Sequence, residues 1–583
     1  MTGKNSQACL AGDGGPPPGQ DRKRGRGQVS ALAIGRRRRA GPGAGWTLGA
    51  LAIAALVLGP LVSVVVIALN PTENIWPHLL ATTLPRYLAN TATLAFGAAI
   101  LAAAVGAGAA WLVTMYRFPL SGWLEWWLLL PMAIPAYVAA YGLVDLLDYA
   151  GPVQTALRRV FGWTSARDYW FFSPRSTGFA IVVLASALYP YVYLLSRAAF
   201  REQPAGSYEV ARALGAGPWR LFWRIGLPLA RPAIAAGSAI VMMEVVSDYG
   251  VSFHFGIQTL TTGIFSVWLE TGNAGGAAQI ACVILAVIFA LMVLERHGRR
   301  RSRFFQSARQ PRPVTRQTLR GAPALASTGL CLVPLAMGFV LPAAVILGHA
   351  LEHPSEWLSA GLGRALWHTL SVGALASLLT VFGALFLVYA VRLALSRTAR
   401  MVLPLTTLGY GAPGAVLAVG LLFPLAALDH RVADAVLALT GHDPGLILTG
   451  SAAAIVLAFI VRFFGIAEGA VDSAFGRIPP SLPMAARSLG RTARGVLTSV
   501  YLPMLRGSVG TALLLVFVEC VKELPATLLL RPFNYETLAT RVQEKASLEK
   551  LSEAAPPAVI VMAVGLVAVA LLARASRARE RRS

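Results

Sequence analysis

Tyr208-Glu209-Val210-Ala211-Arg212-Ala213-Leu214-Gly215, running on to Ile225-Gly226-Leu227-Pro228, is polar, basic and punctuated by glycine and proline. Strongly apolar segments flank it on both sides. Pro483-Met484-Ala485-Ala486-Arg487-Ser488-Leu489-Gly490, leading to Val500-Tyr501-Leu502-Pro503, repeats it. Gly215 to Gly490 is a shift of 275 positions, and Pro228 to Pro503 is the same shift. Alanine and leucine favour helix, glycine is common just past a helix end, and proline suits a first helical turn. These residue types fit a short helix, a glycine turn and the start of a second helix. A polar loop kept in register twice within an apolar chain reads as a docking element.

Composition sets the class. Of 583 residues, 56% are hydrophobic and 13% charged, with a mean hydropathy of +0.61. Soluble chains carry about a quarter charged residues. This is the composition of a polytopic membrane protein, long enough for two membrane domains. The net charge of +24 does not indicate nucleic acid, because the arginines and lysines gather in flanks of apolar spans. Residues 1–45 hold 9 of them, 295–326 hold 9 and 572–583 hold 5, which is 23 of 51. Such flanks face the cytoplasm. Cys9, Cys282, Cys331 and Cys520 have no metal-ligand or redox spacing.

The chain divides into a disordered basic tail (1–45), a first membrane domain (46–294), a basic linker (295–326), a second membrane domain (327–573) and a basic tail (574–583). The expected spans of the first domain are Trp46–Leu69, Leu88–Val113, Leu124–Leu146, Ser176–Ser196, Leu229–Asp248 and Ala277–Leu294. Those of the second are Ser327–Ala350, Arg364–Val391, Met401–Leu425, Gly445–Phe464, Leu505–Leu524 and Ala555–Leu572. Pro131 and Pro135 kink the third span. The docking loops fall at about 197–228 and 465–503. The repeat extends beyond them: Pro135-Ala136-Tyr137-Val138 matches Pro413-Gly414-Ala415-Val416, and Leu260-Thr261-Thr262 matches Leu538-Ala539-Thr540, both at 278. The expected fold is an all-α polytopic membrane protein of two tandem six-helix domains, about 12 transmembrane helices. A pseudo-two-fold axis runs along the membrane normal, and a pathway lies between the halves. Both termini, the linker and both loops then share the cytoplasmic side.

No Gly-x4-Gly-Lys-Ser/Thr phosphate loop and no His-Glu-x-x-His occur. The chain reads as non-enzymatic, without a cofactor or tight metal site. Its sharpest intramembrane feature is acidic. Glu244 and Asp248 are four apart, as are Glu519 and Glu523, again at a shift of 275. On a continuous helix each pair shares one face. A carboxylate in hydrocarbon costs about 2.5–3.5 kcal/mol even on lenient scales, so these must face protein or a cavity. They are candidates for a cation-attracting pathway. The alternative is structural, with Glu519 paired to Lys522 and Glu244 bonded to a neighbouring helix.

A family resemblance rests on the residues quoted. Glu209-x-Ala211, Gly215 six positions after the glutamate, and Ile225-x-Leu227-Pro228 look like the cytoplasmic coupling loop of ABC importer permeases. The second copy, with Met484, Ala485, Ala486, Gly490, Val500, Leu502 and Pro503, lacks the usual glutamate at Met484. Lys522-Glu523-Leu524-Pro525-Ala526-Thr527 through Arg531-Pro532-Phe533-Asn534, and Thr537 to Val542, are similar to the fused permeases of iron(III) importers. Tyr189-Pro190-Tyr191-Val192-Tyr193 and Asp248-Tyr249-Gly250 fit the same group. The likeness covers about 46–575. It implies a permease subunit of the bacterial inner membrane that is driven by separate ATPase subunits, two of them, which use the ATP. It also implies a periplasmic or lipid-anchored substrate-binding protein. Thiamine, polyamine, phosphonate and sulfate permeases share the architecture. An ion-coupled secondary transporter is the more distant alternative.

Overall fold

Runs of leucine, valine and alanine with few charges build long helices here. The computed structural model describes residues 44–71, 73–300, 316–393, 403, 405–406 and 408–580. The tail at 1–43, most of the linker and the last three residues lie outside them. Among the described residues, 11 helices are long and apolar enough to cross a membrane. The number rises to 12 if the bent pair Ser121–Ala133 and Ala136–Phe161 makes one span. Among the described residues the fold is all-α apart from one two-residue parallel ladder, Tyr116–Arg117 beside Gln317–Thr318.

Several boundaries differ from the sequence reading. The third span is broken rather than kinked. Ser121–Trp127, a 3-10 turn Leu130–Ala133 and the helix Ala136–Leu147 follow one another, and the two parts meet at 95°. Proline disfavours helix in the residue before it, and Ile134, ahead of Pro135, is extended at φ −105°, ψ 125°. In the second half the matching stretch breaks at the equivalent place: the helix Leu408–Gly411 ends before Ala412 and Pro413, and the helix Gly414–Thr440 follows, while part of the expected span Met401–Leu425 lies outside the described residues. The helix Ala274–Arg300 runs past 294, and a helix already begins at Ala322, so both ends of the expected linker are helical. The last helix, Leu551–Glu580, likewise continues into the expected tail. The helix Ala453–Gly476 occupies the start of the expected second loop.

The helix that leaves each docking loop also begins earlier than Pro228 or Pro503. It starts at Pro218 in one half and Ala493 in the other, and it runs to Ser247 and Lys522. Each contains a π turn, Phe222–Gly226 and Leu497–Tyr501, one step before the Leu-Pro pair. Proline has no N–H for the preceding turn, and a widened turn takes up that loss.

The two halves repeat their hydrogen bonds. The Thr91 hydroxyl accepts from the Leu260 amide at 3.0 Å, and the Thr369 hydroxyl accepts from the Leu538 amide at 2.8 Å. Thr259 with Thr262, and Thr537 with Thr540, form reciprocal capping boxes. These bonds fix the short helices Leu260–Phe265 and Leu538–Ser547 against the long helices Leu84–Met115 and Leu362–Leu393.

Candidate functional site: a carboxylate-lined cavity and two docking loops

Segments from both halves enclose a cavity of about 150 Å³. Residues between Pro131 and Gly250 line one side, and residues between Gly411 and Pro525 line the other. All four sequence-predicted carboxylates, Glu244, Asp248, Glu519 and Glu523, reach it, together with Arg462 and Lys522. Four carboxylates against two cations leave a formal charge of −2.

The four carboxylates are not equivalent in use. Asp248 and Glu523 lie one residue past their helices, which end at Ser247 and Lys522. The expected shared helix face with Glu244 and Glu519 is therefore not formed. Instead the Asp248 carboxylate accepts from the Ser252 amide at 2.9 Å and from the Val251 amide at 3.4 Å. Glu523 accepts from the Ala526 amide at 3.0 Å and the Thr527 amide at 3.2 Å. Both thus cap the short helix that follows, where orphan amides favour negative charge. Gly414 makes room for this: a Cβ there would sit 2.2 Å from Glu523 Oε1.

Glu519 pairs with Lys522 at 2.8 Å. Glu244 forms no hydrogen bond or ion pair among the described residues and points at the cavity. Arg462 comes from the helix Ala453–Gly476, with Nη1 3.9 Å from Glu523 Oε1, beyond hydrogen-bond reach. Sequence reasoning passed over Arg462, although an arginine between Val461 and Phe463 in an apolar span was itself a signal.

The docking loops take the expected form up to the glycine. The helix Ala205–Ala213 carries Glu209 and Ala211, and Ser481–Ser488 carries Met484, Ala485 and Ala486. Gly215 and Gly490 follow at φ +82° and +83°. The Gly215 amide donates to Arg212 O and the Ala216 amide to Ala211 O, while Gly490 and Arg491 donate to Arg487 O and Ala486 O. These paired bonds end the helix on a left-handed residue. Ile225 and Val500 then sit in the π turns, with Leu227, Pro228, Leu502 and Pro503 just after them.

Three aromatic rings hold each loop to the membrane helices. Trp111 packs on Phe200 at 5.4 Å and Tyr208 at 5.9 Å. In the second half Tyr389 packs on Phe475 at 6.3 Å and Tyr501 at 5.5 Å. Ring size is exchanged between partners: Trp111 lies over Gly226, where a Cβ would meet it at 2.4 Å, and Tyr501 stands 275 positions after that glycine. Burial pushes the Tyr208 phenol up from its ordinary range, so it stays protonated and bonds to Gln203. Gln203 in turn donates to Gly226 O at 3.2 Å.

A second buried cluster, absent from the sequence reading, anchors the linker. Glu125 pairs with Arg197 and Arg201 from the helix Thr177–Glu202, and with Arg316 at 3.2 Å. Arg316 immediately precedes the strand that pairs with Tyr116–Arg117.

With this geometry in place, comparison with known proteins identifies the family. Residues 95–303 match the model of the binding-protein-dependent transport system inner membrane component. The sulfate transport system permease protein CysT of Escherichia coli is 30% identical over 216 residues, 35% of this chain and 75% of that protein. The chain belongs to this family of ABC importer permeases. The Fe(3+)-transport system permease protein FbpB 2 of Haemophilus influenzae is 25% identical over 494 residues, covering 83% of this chain and 89% of that one. The molybdenum transport system permease protein ModB of Escherichia coli is 28% identical over 193 residues, 32% of this chain and 81% of its own length. The long match reaches across both halves. The family is one of multi-pass inner-membrane transport subunits, in agreement with the helices described above.

Proposed function

We propose that this chain is the membrane-spanning permease subunit of an ATP-driven importer for ferric iron, its halves, about 46–294 and 327–573, alternating access around the central cavity. The observation that carries the reading is the cavity itself, which gathers carboxylates from equivalent positions of both halves. A highly charged cation crossing a low-dielectric region loses hydration, and hard carboxylate oxygens offset part of that loss. Relatives named for sulfate and molybdenum make an oxyanion the competing cargo. The cavity's formal charge of −2 argues against it, and Lys522 is already neutralised by Glu519. Glu244 and Glu519 are the pathway pair, and binding there stays weak so that the ion is released.

The chain itself hydrolyses no ATP and binds no cofactor in this reading. Two cytoplasmic ATPase subunits dock on the loops around Gly215 and Gly490, and a periplasmic or lipid-anchored protein delivers cargo. Both termini and the linker lie in the cytoplasm, following the arginine distribution. A cysteine placed at the exposed Gln317 on a cysteine-free background tests this. Labelling by an impermeant reagent from outside the cell overturns the orientation.

The decisive experiment is uptake into vesicles holding the chain, its ATPase and its binding protein. Ferric iron is compared with sulfate, molybdate, thiamine and polyamines. Ferric iron is expected to be accumulated, and the Glu244→Gln/Glu519→Gln double variant is expected to lose most uptake while retaining assembly and basal ATP hydrolysis. Full uptake by that double variant removes the carboxylate pathway but leaves the importer.

A further inference from the structure

The helix Leu341–Glu352 ends in a cluster with no part in the cavity or the loops. His349 and Glu352 lie in the last turn of the helix, and His353 caps it just past its end at φ −121°, ψ 68°, so the three are brought together at the helix C-terminus. One potential ligand atom from each lies within 4.8 Å of the others. Tetrahedral donors about 2.0–2.2 Å from a metal lie about 3.3–3.6 Å apart, so the three must close by up to about 1.5 Å. That adjustment lies within side-chain rotation at a helix end where Glu352 and His353 are exposed.

The histidines are already oriented. His349 Nε2 is 2.8 Å from Asp145 Oδ2, which comes from the helix Ala136–Leu147 of the other half. His353 Nδ1 is 3.2 Å from the His349 carbonyl oxygen. Each ring thus has one nitrogen engaged and one left for a ligand. A carboxylate on the far nitrogen is the usual partner of a metal-binding imidazole, fixing its tautomer and direction. Two imidazoles and one carboxylate suit a borderline divalent cation such as zinc, with open positions for water. The central cavity, in contrast, offers carboxylate oxygens and no imidazole.

We propose that His349, Glu352 and His353 bind one divalent transition-metal cation of the zinc class. Asp145 acts as the positioning residue that links the site to the first half. A helix C-terminus also attracts protonated histidine without any metal, and the test separates the two.

The full-length chain is purified with a tag that contains no histidine, stripped with chelator and titrated with Zn²⁺ by calorimetry. Co²⁺ absorption serves as the spectroscopic probe. One equivalent is expected, weakened at least tenfold by His353→Ala or Glu352→Gln. Asp145→Asn should weaken it by about 10–100-fold. The exposed positions of Glu352 and His353 keep these variants folded, which size-exclusion profiles verify. Equal Zn²⁺ uptake by wild type and His349→Ala/His353→Ala overturns the site. So does loss of the equivalent in Glu244→Gln/Glu519→Gln, which would place the metal in the cavity. No ATPase, binding protein or iron is present, so the result is independent of the import reading.

Discussion

Glu523 Oε2 lies 3.2 Å from the Thr527 amide nitrogen and 3.1 Å from the Thr527 hydroxyl, which places a carboxylate of the cavity wall in a helix cap. Asp248 and Ser252 repeat the arrangement 275 positions earlier, at 2.9 Å and 3.2 Å. A carboxylate whose oxygens already accept amide bonds has little left for a passing cation. The four acids thereby divide into two that cap helices, Asp248 and Glu523, and two that do not: Glu519, paired with Lys522, and Glu244, which forms no hydrogen bond or ion pair among the described residues.

The capping pair is expected to act on stability. Glu523→Ala removes acceptors from two amides and should cost about 0.5–2 kcal/mol. Gly414→Val should destabilise with Glu523 intact, since its Cβ starts 2.2 Å from the carboxylate oxygen. Thermal unfolding of the purified chain measures both, and an unchanged Tm in both removes the capping role.

The docking-loop glycines are constrained by backbone alone. At φ +82° and +83°, an added Cβ at Gly215 or Gly490 would meet nothing within 4 Å. The penalty for a side chain is then the left-handed conformation, about 1–2 kcal/mol, and asparagine tolerates it best. Gly215→Asn and Gly490→Asn should retain ATPase co-purification better than the corresponding valine variants. Equal retention by valine and asparagine at both sites contradicts this origin of the constraint.

Glu125 is expected to be the most sensitive single charge. Its side chain and that of Arg197 are each 8% exposed, and Arg201 and Arg316 share the carboxylate. Breaking a buried pair costs about 3–5 kcal/mol, so Glu125→Gln should sharply lower folded yield and Tm. Arg316→Ala, which leaves Glu125 two partners, should cost less. A Tm order with Arg316→Ala lower than Glu125→Gln overturns this ranking.

The helices and the duplicated loop were legible because hydropathy and a fixed offset of 275 are properties of the sequence itself. The acidic pairs were misread where spacing was taken to mean a continuous helix. Asp248 and Glu523 have side chains that compete for backbone amides. Pro525, two residues after Glu523, occupies the first turn of the next helix. Glu523-Leu524-Pro525 therefore carried a break signal, whereas Glu244 and Glu519, set back by four, lie within their helices; all four line the cavity. The Glu125 cluster and the Asp145–His349 pair join residues 72 to 204 positions apart. No periodicity reports such contacts. The early helix starts at Pro218 and Ala493 were hidden because a π turn absorbs the later Leu-Pro pair.

The two docking loops differ in chemistry, and their partners' response should differ accordingly. Leu214 and Leu489, equivalent at a shift of 275, are 83% and 84% exposed. An apolar side chain held in water at the tip of a short helix gains about 1.5–3 kcal/mol when fully buried against a partner. Leu214→Ser and Leu489→Ser should therefore weaken ATPase association by comparable amounts, with little dependence on salt. Glu209 is exposed and charged, whereas its counterpart Met484 is 67% exposed and apolar. A charge contact at an interface rim is screened by salt, and an apolar contact is not. Glu209→Ala should weaken association at low ionic strength more than at high, and more than Met484→Ala does. Binding of the ATPase to each variant across a salt series measures this. An equal loss for the two variants, independent of salt, would show that the glutamate makes no charge contact.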